Sequence, residues 1–472
     1  MTDLDGYSAM DSARSILLTA GDRGDTVALM TRERRVTYGE LRREVVRRAE
    51  RVAAGPGVVA VSNPDTVELV LDSMAVHLAG RAAVLLDSRT PAERIARVCA
   101  KTKAEPIESL GRARRDVDAT SPLDMAALSS VLSTSGSTGE PKLVCRSRRA
   151  DLVASMTMAL GGFPIRPNTR IWQTVPIASA AMTSVCYATL LVGGTLVLEQ
   201  FSPGTVNDVL AELEVDLAYF VPTMLRLVIQ KTGLQGPGWS KLAGIGWGGE
   251  ALDETTEAAI EAVAPGRIWA AYGATEVPVC TLASPWMRAR YPGTVGRATP
   301  FHSVRVLRAD GGLAERGEVG ELWVTGGDAY DRYWGDEPAG RWYKTGDVGS
   351  VDGTGLVRVA GRADGLVKIG GNRVSPEESA AVLRGHAQVQ QAVVIAAEDR
   401  TWGFSLHAFV VAQPGAVLDP GELDQLCRRT MPAARVPRSF TIIDEIPADR
   451  SGKTSTATLR RLLEQQGKVA RD

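Results

Sequence analysis

Two hydrophobic periods alternate along the first three quarters of the chain. Short apolar runs at 57–61, 82–86, 195–198 and 217–221 read as strands. Between them the spacing turns helical. Thr37 and Glu40 stand three apart ahead of Leu41, Val45, Val46, Ala49 and Val52, a capping box opening an amphipathic helix. Thr90-Pro91-Ala92-Glu93 opens another in the same way, with Pro91 at the first helical position. Strands and helices in alternation predict an α/β architecture. From about Gly293 the texture changes, and short β-rich segments at 303–307, 321–324 and 356–359 separated by Gly and Asp turns predict a small β subdomain over 293–361. Beyond Gly361-Arg362-Ala363-Asp364-Gly365 the order is strand, helix, strand, strand, helix, strand, helix. With strands at 392–396 and 407–411, this segment is large enough for a separate α+β domain over 362–472.

One stretch, 171–198, carries no charged residue and is long enough to cross a bilayer. Pro176, Gly193-Gly194 and recurrent Ser and Thr interrupt it, so it reads as a buried strand, helix, turn and second strand. No membrane span is expected. Length and composition agree with a multidomain globular protein: 472 residues, 44% hydrophobic and 23% charged. A formal net charge of −1 builds no broad field for nucleic acid or an anionic membrane, which leaves small partners. The five cysteines, Cys99, Cys145, Cys186, Cys280 and Cys427, are scattered and odd in number, with neither zinc-site nor disulfide spacing. Together with an acidic N-terminus that lacks a signal-peptide pattern, they point to the cytoplasm.

The strongest local signal is Leu132-Ser133-Thr134-Ser135-Gly136-Ser137-Thr138-Gly139-Glu140-Pro141-Lys142. Small residues in succession let backbone N–H groups converge on phosphate oxygens, hydroxyls add donors and Lys142 adds charge. It is not a Walker loop, because Pro141 precedes the lysine and Leu143 follows it. Taken alone, such a run more often describes a solvated surface loop. Ser451-Gly452-Lys453-Thr454 has the tail of a Walker loop but Pro447 where its first glycine belongs.

Five motifs in order are more specific than any one. Thr134 to Lys142, Tyr272-Gly273-Ala274-Thr275-Glu276, Tyr343-Lys344-Thr345-Gly346-Asp347, Gly361-Arg362-Ala363-Asp364 with Lys368-Ile369-Gly370-Gly371, and Ser451-Gly452-Lys453 together closely resemble the adenylate-forming superfamily. That superfamily of AMP-dependent synthetases and ligases includes acyl- and aryl-CoA ligases, nonribosomal peptide synthetase adenylation domains and luciferases. The resemblance runs from Val36-Thr37-Tyr38 to Lys453. It implies an N-terminal domain over 1–361 of distorted doubly wound α/β subdomains plus a small β-barrel, and a small mobile α+β domain over 362–472.

The resemblance also implies roles. Thr134, Ser135, Gly136, Ser137, Thr138, Gly139 and Lys142 would hold the β- and γ-phosphates of ATP. Tyr272 and Gly273 on one side and Gly248, Gly249 and Glu250 on the other would enclose adenine. Thr275 would bind a phosphate oxygen, Glu276 would coordinate Mg²⁺, and Asp347 with Arg362 would take the ribose hydroxyls. Lys453 would be catalytic, lying against the charge that gathers when a carboxylate attacks the α-phosphorus. The small domain would rotate about Asp364, exchanging Lys453 for the loop of Lys368, Gly370 and Gly371 that admits a pantetheine arm. Gly365 stands where many relatives carry a polar residue.

Alignment on the 171–198 landmarks places Ala180 where amino-acid-activating domains carry the aspartate that grips the substrate ammonium, and Ser179 where many acyl-CoA ligases carry histidine. A free ammonium without a carboxylate partner is costly in a desolvated pocket, so an amino acid bound in the usual way is disfavoured. Ser179, Ala180, Ala181, Ser184, Tyr219, Ile245, Trp247, Ala271, Val279 and Cys280 are the expected pocket residues, a compact apolar wall suited to an aryl or short or branched acyl carboxylate. CoA and the phosphopantetheine of a carrier protein present the same thiol. The arginines at 146–149 and 428–438 are candidates to meet CoA phosphates or an acidic carrier helix. The expected activity is acid activation followed by thiol transfer. The alternatives are transfer to a nitrogen nucleophile and a nucleotide-binding homologue without turnover.

Overall fold

The computed structural model describes residues 11–52, 57–87, 90, 92–107, 123–133, 142–249, 252–363, 367–369, 372–399, 403–431, 433–448 and 454–466. The α/β alternation folds into two large sheets with helices packed between them. The first sheet runs in the order Arg297–Ala298, Thr281–Ala283, Ile268–Tyr272, Gly244–Gly248, Leu217–Phe220, Arg170–Gln173, Thr195–Val197, Val27–Met30 and Arg35–Thr37. Its centre is parallel and its two edges antiparallel. The second runs Arg332–Tyr333, Leu143–Ser147, Leu128–Ser133, Ala82–Leu85, Val58–Val61 and Glu105–Pro106. Helices Tyr38–Val52, Thr66–Leu78 and Ala180–Val192 contribute to one apolar cluster with residues of both sheets, among them Leu29, Leu196, Val61 and Leu85. Burial on both faces is why these strands read as continuous apolar runs.

The local signals act as expected. The Thr37 backbone N–H donates to Glu40 Oε2 at 2.8 Å and the Glu40 N–H to Thr37 Oγ1 at 3.2 Å, a closed capping box. The uncharged stretch is strand Arg170–Gln173, helix Ala180–Val192 and strand Thr195–Val197, with Gly193 at φ +88° ending the helix. Among the described residues no helix is long and apolar enough to cross a membrane. The Thr90-Pro91 opening precedes helix Ala92–Thr102, and Pro91 itself lies outside the described residues.

The β-rich segment is a four-stranded antiparallel sheet in the order His302–Leu307, Gly320–Gly326, Tyr343–Val351 and Val357–Arg362. Its outer strands are not paired directly to each other, and Gly296, just before edge strand Arg297–Ala298 of the first sheet, bridges to Val357 of the last strand. After Arg362 the chain builds a hairpin, Val367–Ile369 with Asn372–Val374, and a three-stranded sheet of Val389–Asp399, Gly403–Ala412 and Ser439–Ile442. Helices Pro376–Arg384 and Pro420–Thr430 pack with this sheet through a cluster holding Leu383, Leu406, Leu423 and Cys427. Helix Thr456–Gln465 closes another part of it through Leu459 and Leu463 against Phe409. Every residue of both clusters comes from beyond position 362.

Candidate active site

Strand Leu128–Ser133 pairs antiparallel with Leu143–Ser147, Ser133 opposite Leu143, so the strands on either side of the phosphate motif are paired. Thr134, Ser135, Gly136, Ser137, Thr138 and Gly139 lie outside the described residues. Lys142 is described, and its Nζ stands 4.9 Å from the ring centroid of Tyr333. Tyr333 belongs to the short edge strand Arg332–Tyr333, which pairs with the same hairpin, Tyr333 opposite Val144.

Strand Ile268–Tyr272 ends at the second motif. Ala274 and Val277 exchange backbone hydrogen bonds of 2.9 and 3.1 Å, a tight turn with Thr275 and Glu276 at its tip. Glu276 is buried, and the Tyr333 hydroxyl donates to its Oε1 at 2.7 Å. Tyr343 faces the same carboxylate. Burial, reinforced by that negative charge, pushes both phenols well above the ordinary tyrosine range, so each stands as a neutral donor. The Tyr330 ring packs on Tyr333 and Tyr343 with centroids 4.9 and 5.6 Å apart, and its N–H donates to the Glu276 carbonyl at 2.8 Å. Among the described residues no group of three or more His, Cys, Asp or Glu side chains is placed to hold a metal ion. A single buried carboxylate beside a phosphate loop nevertheless fits Mg²⁺, which takes one or two carboxylates and completes its shell with water and substrate phosphates.

Four positions away on each strand a parallel link forms. The Tyr272 hydroxyl donates to Asp347 Oδ2 at 2.7 Å, and Arg362 Nη1 stands 3.5 Å from Asp347 Oδ1. Strand register places Asp347 opposite Arg362, and the Asp347 N–H donates to Thr345 Oγ1 at 3.0 Å. Burial and the neighbouring carboxylate raise the Tyr272 phenol far above its usual range, which keeps it a donor. Tyr272, Asp347 and Arg362, drawn from three separate motifs, thus meet in one group, and Glu276 with Tyr333 and Tyr343 forms a second group four positions along the same two segments.

The expected pocket residues separate. Tyr219 pairs with Gly246 and Ala271 with Gly248, and in a parallel sheet paired residues share a face. Tyr219, Ala271 and Val279 fall in one apolar cluster with Phe163, and Ala181 packs against it. Ile245 and Trp247 point to the opposite face and join Phe220 and Ala270. There the Arg288 guanidinium lies 5.3 Å over the Trp247 ring. Ala180 faces the cluster between the two sheets. Ser179 caps its helix, accepting from the Met182 N–H at 3.3 Å, and Ser184 donates back to the Ala180 carbonyl at 2.8 Å. Cys280 packs with Val277 and Val324, its thiol donating to the Tyr272 carbonyl at 3.2 Å, and burial pushes that thiol up.

Gly246 and Gly248 lie on the Tyr219 face of the sheet, Gly246 outside every motif and Gly248 expected only beside adenine. A Cβ at Gly246 would stand 2.9 Å from Tyr219 Cδ2, and one at Gly248 2.2 Å from Tyr219 Oη. The tyrosine occupies the room that two side chains would take. The pattern Gly244-x-Gly246-x-Gly248 is the visible signal, since glycine at period two marks a strand face that something approaches closely. Gly249 follows at the strand end with φ +85°, and Glu250 lies outside the described residues. A cleft of about 790 Å³ opens elsewhere, between Arg149, Phe301, Tyr330, Arg332 and Arg341, and holds none of the expected acid-binding residues.

Arg146 and Arg148 are unavailable to a phosphate or an acidic helix, being buried against Asp151 at 2.7 Å and Asp11 at 2.9 Å. Asp364, Gly370, Gly371 and Lys453 lie outside the described residues, as does the side chain of Lys368 in its hairpin.

Two family models match the chain: AMP-binding enzyme over residues 101–334 and AMP-binding enzyme C-terminal domain over residues 378–453. An uncharacterised acyl–CoA ligase of Bacillus subtilis is 26% identical, with 95% of this chain and 97% of the relative covered. A feruloyl-CoA synthase of Amycolatopsis is 30% identical over 70% of this chain and 68% of its own length. ATP-bound MatB from Rhodopseudomonas palustris superposes with a TM-score of 0.84 at 23% identity, covering 97% of this chain and all (100%) of its own, which shows a shared fold.

Proposed function

The chain belongs to the AMP-binding enzyme family, and on that premise we propose that it is an AMP-forming acid–thiol ligase. In the first half-reaction a carboxylate oxygen attacks the α-phosphorus of ATP. The new P–O bond forms as the bond to the pyrophosphate oxygen breaks, giving an acyl-adenylate. In the second, a thiol attacks the acyl carbon and AMP leaves. The observation that supports this best is the pairing of two groups from the ordered motifs, Tyr272 with Asp347 and Arg362, and Glu276 with Tyr333 next to Lys142.

In this reading the 134–142 loop holds the β- and γ-phosphates, Thr275 adds a phosphate contact and Asp347 with Arg362 takes the ribose diol. Adenine sits between Tyr272-Gly273 and Gly248-Gly249-Glu250. Glu276 holds Mg²⁺, which when bound neutralises charge on the phosphate oxygens. Lys453 stabilises the charge that develops on the α-phosphate. We divide the chain into an N-terminal domain over 1–361 and a C-terminal domain over 362–472, with Asp364 as hinge and the Lys368, Gly370, Gly371 loop as the thiol entrance. The separate apolar clusters beyond position 362 support the division.

The acid is small and mostly apolar, aryl or short or branched acyl. Tyr219, Ala271, Val279, Phe163 and Ala181 form a wall without charge, and a wall of that kind favours an apolar substrate body. Tyr219, buried and with its phenol raised by that burial, sets the depth over Gly246 and Gly248. Tyr219→Ala is expected to raise the kcat/KM ratio of a larger over a smaller aryl acid about tenfold, the scale on which apolar pockets discriminate. An unchanged ratio across a graded acid panel removes Tyr219 from the pocket. The acyl–CoA ligase and feruloyl-CoA synthase relatives support CoA as the thiol.

The deciding experiment is ATP–pyrophosphate exchange over aryl, short acyl and amino acids, followed by capture with CoA, holo carrier protein and amines. Exchange with an apolar acid and capture by CoA is the expected result. Capture by an amine alone replaces the thiol step, and no exchange with any acid leaves a nucleotide-binding protein without turnover.

A further inference from the structure

Glu276 is held from outside its own motif. Tyr333 donates to Oε1 at 2.7 Å from a strand 57 positions on. A hydroxyl facing a carboxylate acts as donor, so the bond fixes the rotamer of Glu276 and directs its remaining lone pairs elsewhere. The same ring lies under Lys142 Nζ, the last residue of the phosphate motif, at 4.9 Å, a cation–π distance. Tyr330 packs behind it and Tyr343 faces the carboxylate from a third strand. Since Tyr333 pairs with Val144 on the phosphate hairpin itself, any shift of that hairpin carries the tyrosine with it.

We infer that Tyr333 is a positioning residue, which orients the Glu276 carboxylate for Mg²⁺ and couples it to Lys142, the last residue of the phosphate motif. This rests on the reading of Glu276 as the Mg²⁺ ligand proposed above. Residues that orient a metal ligand change metal affinity roughly 10–100-fold when removed.

The test is binding of a non-hydrolysable ATP analogue to the full chain, titrated with and without Mg²⁺, with Mn²⁺ paramagnetic resonance as a direct metal readout. Tyr333→Phe is expected to weaken the metal-dependent part about tenfold, leaving metal-free nucleotide binding and the melting temperature near wild type. A loss shared equally by both binding modes, or a lowered melting temperature with unchanged metal dependence, shows a structural role and overturns the inference. Tyr343→Phe gives a smaller loss in the same direction and carries the test should the first variant not fold. Glu276→Gln separates the two ideas. If it abolishes metal dependence while Tyr333→Phe leaves metal dependence at the wild-type level, the positioning role fails; if it retains metal dependence, the reading of Glu276 itself fails. In the double variant Tyr333→Phe with Lys142→Gln, the losses should combine to less than their product, and independent losses remove the link through Lys142.

Discussion

Asp347→Ala is expected to lower kcat/KM for ATP in the exchange reaction by about 10²–10⁴-fold, at about 1.5–3 kcal/mol for each of two hydrogen bonds to a charged group. The carboxylate is prepared before any nucleotide arrives. Its backbone N–H is tied to Thr345 Oγ1, Tyr272 donates to one oxygen at 2.7 Å and Arg362 stands 3.5 Å from the other. A ribose diol therefore meets an oriented acceptor, and little ordering entropy is left to lose on binding. Tyr272→Phe removes only the orienting bond and keeps the charge, so its effect should be near tenfold. Isothermal titration with ATP and with a nucleotide lacking both ribose hydroxyls checks the assignment. Wild type should discriminate strongly between the two and Asp347→Ala hardly at all. Equal discrimination in both proteins would place the ribose elsewhere.

The side chains proposed for ribose and metal were legible as candidates because each motif fixes residue identities within a few positions, and the fold brings Tyr272, Asp347 and Arg362 together. Tyr272 and Asp347 are 75 positions apart, yet each stood inside a recognisable run. Tyr333 and Tyr330 stood in none. A single tyrosine carries no pattern, and the bond from Tyr333 to Glu276 exists only because an edge strand returns to the phosphate hairpin. The residues expected to line an acid pocket separated for another reason. Along a strand a one-residue offset moves a side chain to the opposite face, and this puts Trp247 against Arg288 while Gly248 meets Tyr219. The arginines at 146–149 show the same limit, since sequence gives a cluster of charge but not burial. Arg146 and Arg148 turn inward to Asp151 and Asp11, whereas Arg149 stays exposed.

Lys453→Ala is expected to cut the first half-reaction about 10³-fold while ATP binding stays within about twofold, the scale for removing a charge that acts mainly in the transition state. Flanking residues tie Lys453 to the C-terminal segment. Thr454 bridges to Ala448, and helix Thr456–Gln465 packs through Leu459 and Leu463 on Phe409 of that segment's sheet. In the proposed mechanism Lys453, adjacent in sequence to Thr454, moves with this segment, whose apolar clusters draw only on residues beyond position 362. If that segment swings about Asp364 between half-reactions, the lysine serves only the first. Chemically prepared acyl-adenylate mixed with CoA should then yield thioester in Lys453→Ala at close to the wild-type rate, while pyrophosphate exchange collapses. The hinge gives the complementary result. Asp364→Pro fixes φ where the rotation needs freedom, so it should leave exchange within a few-fold and slow the thioester step by about two orders of magnitude, as for a loop gating one step. A Lys453→Ala enzyme that loses both steps alike would place the lysine in a site common to the two and remove domain alternation from the mechanism.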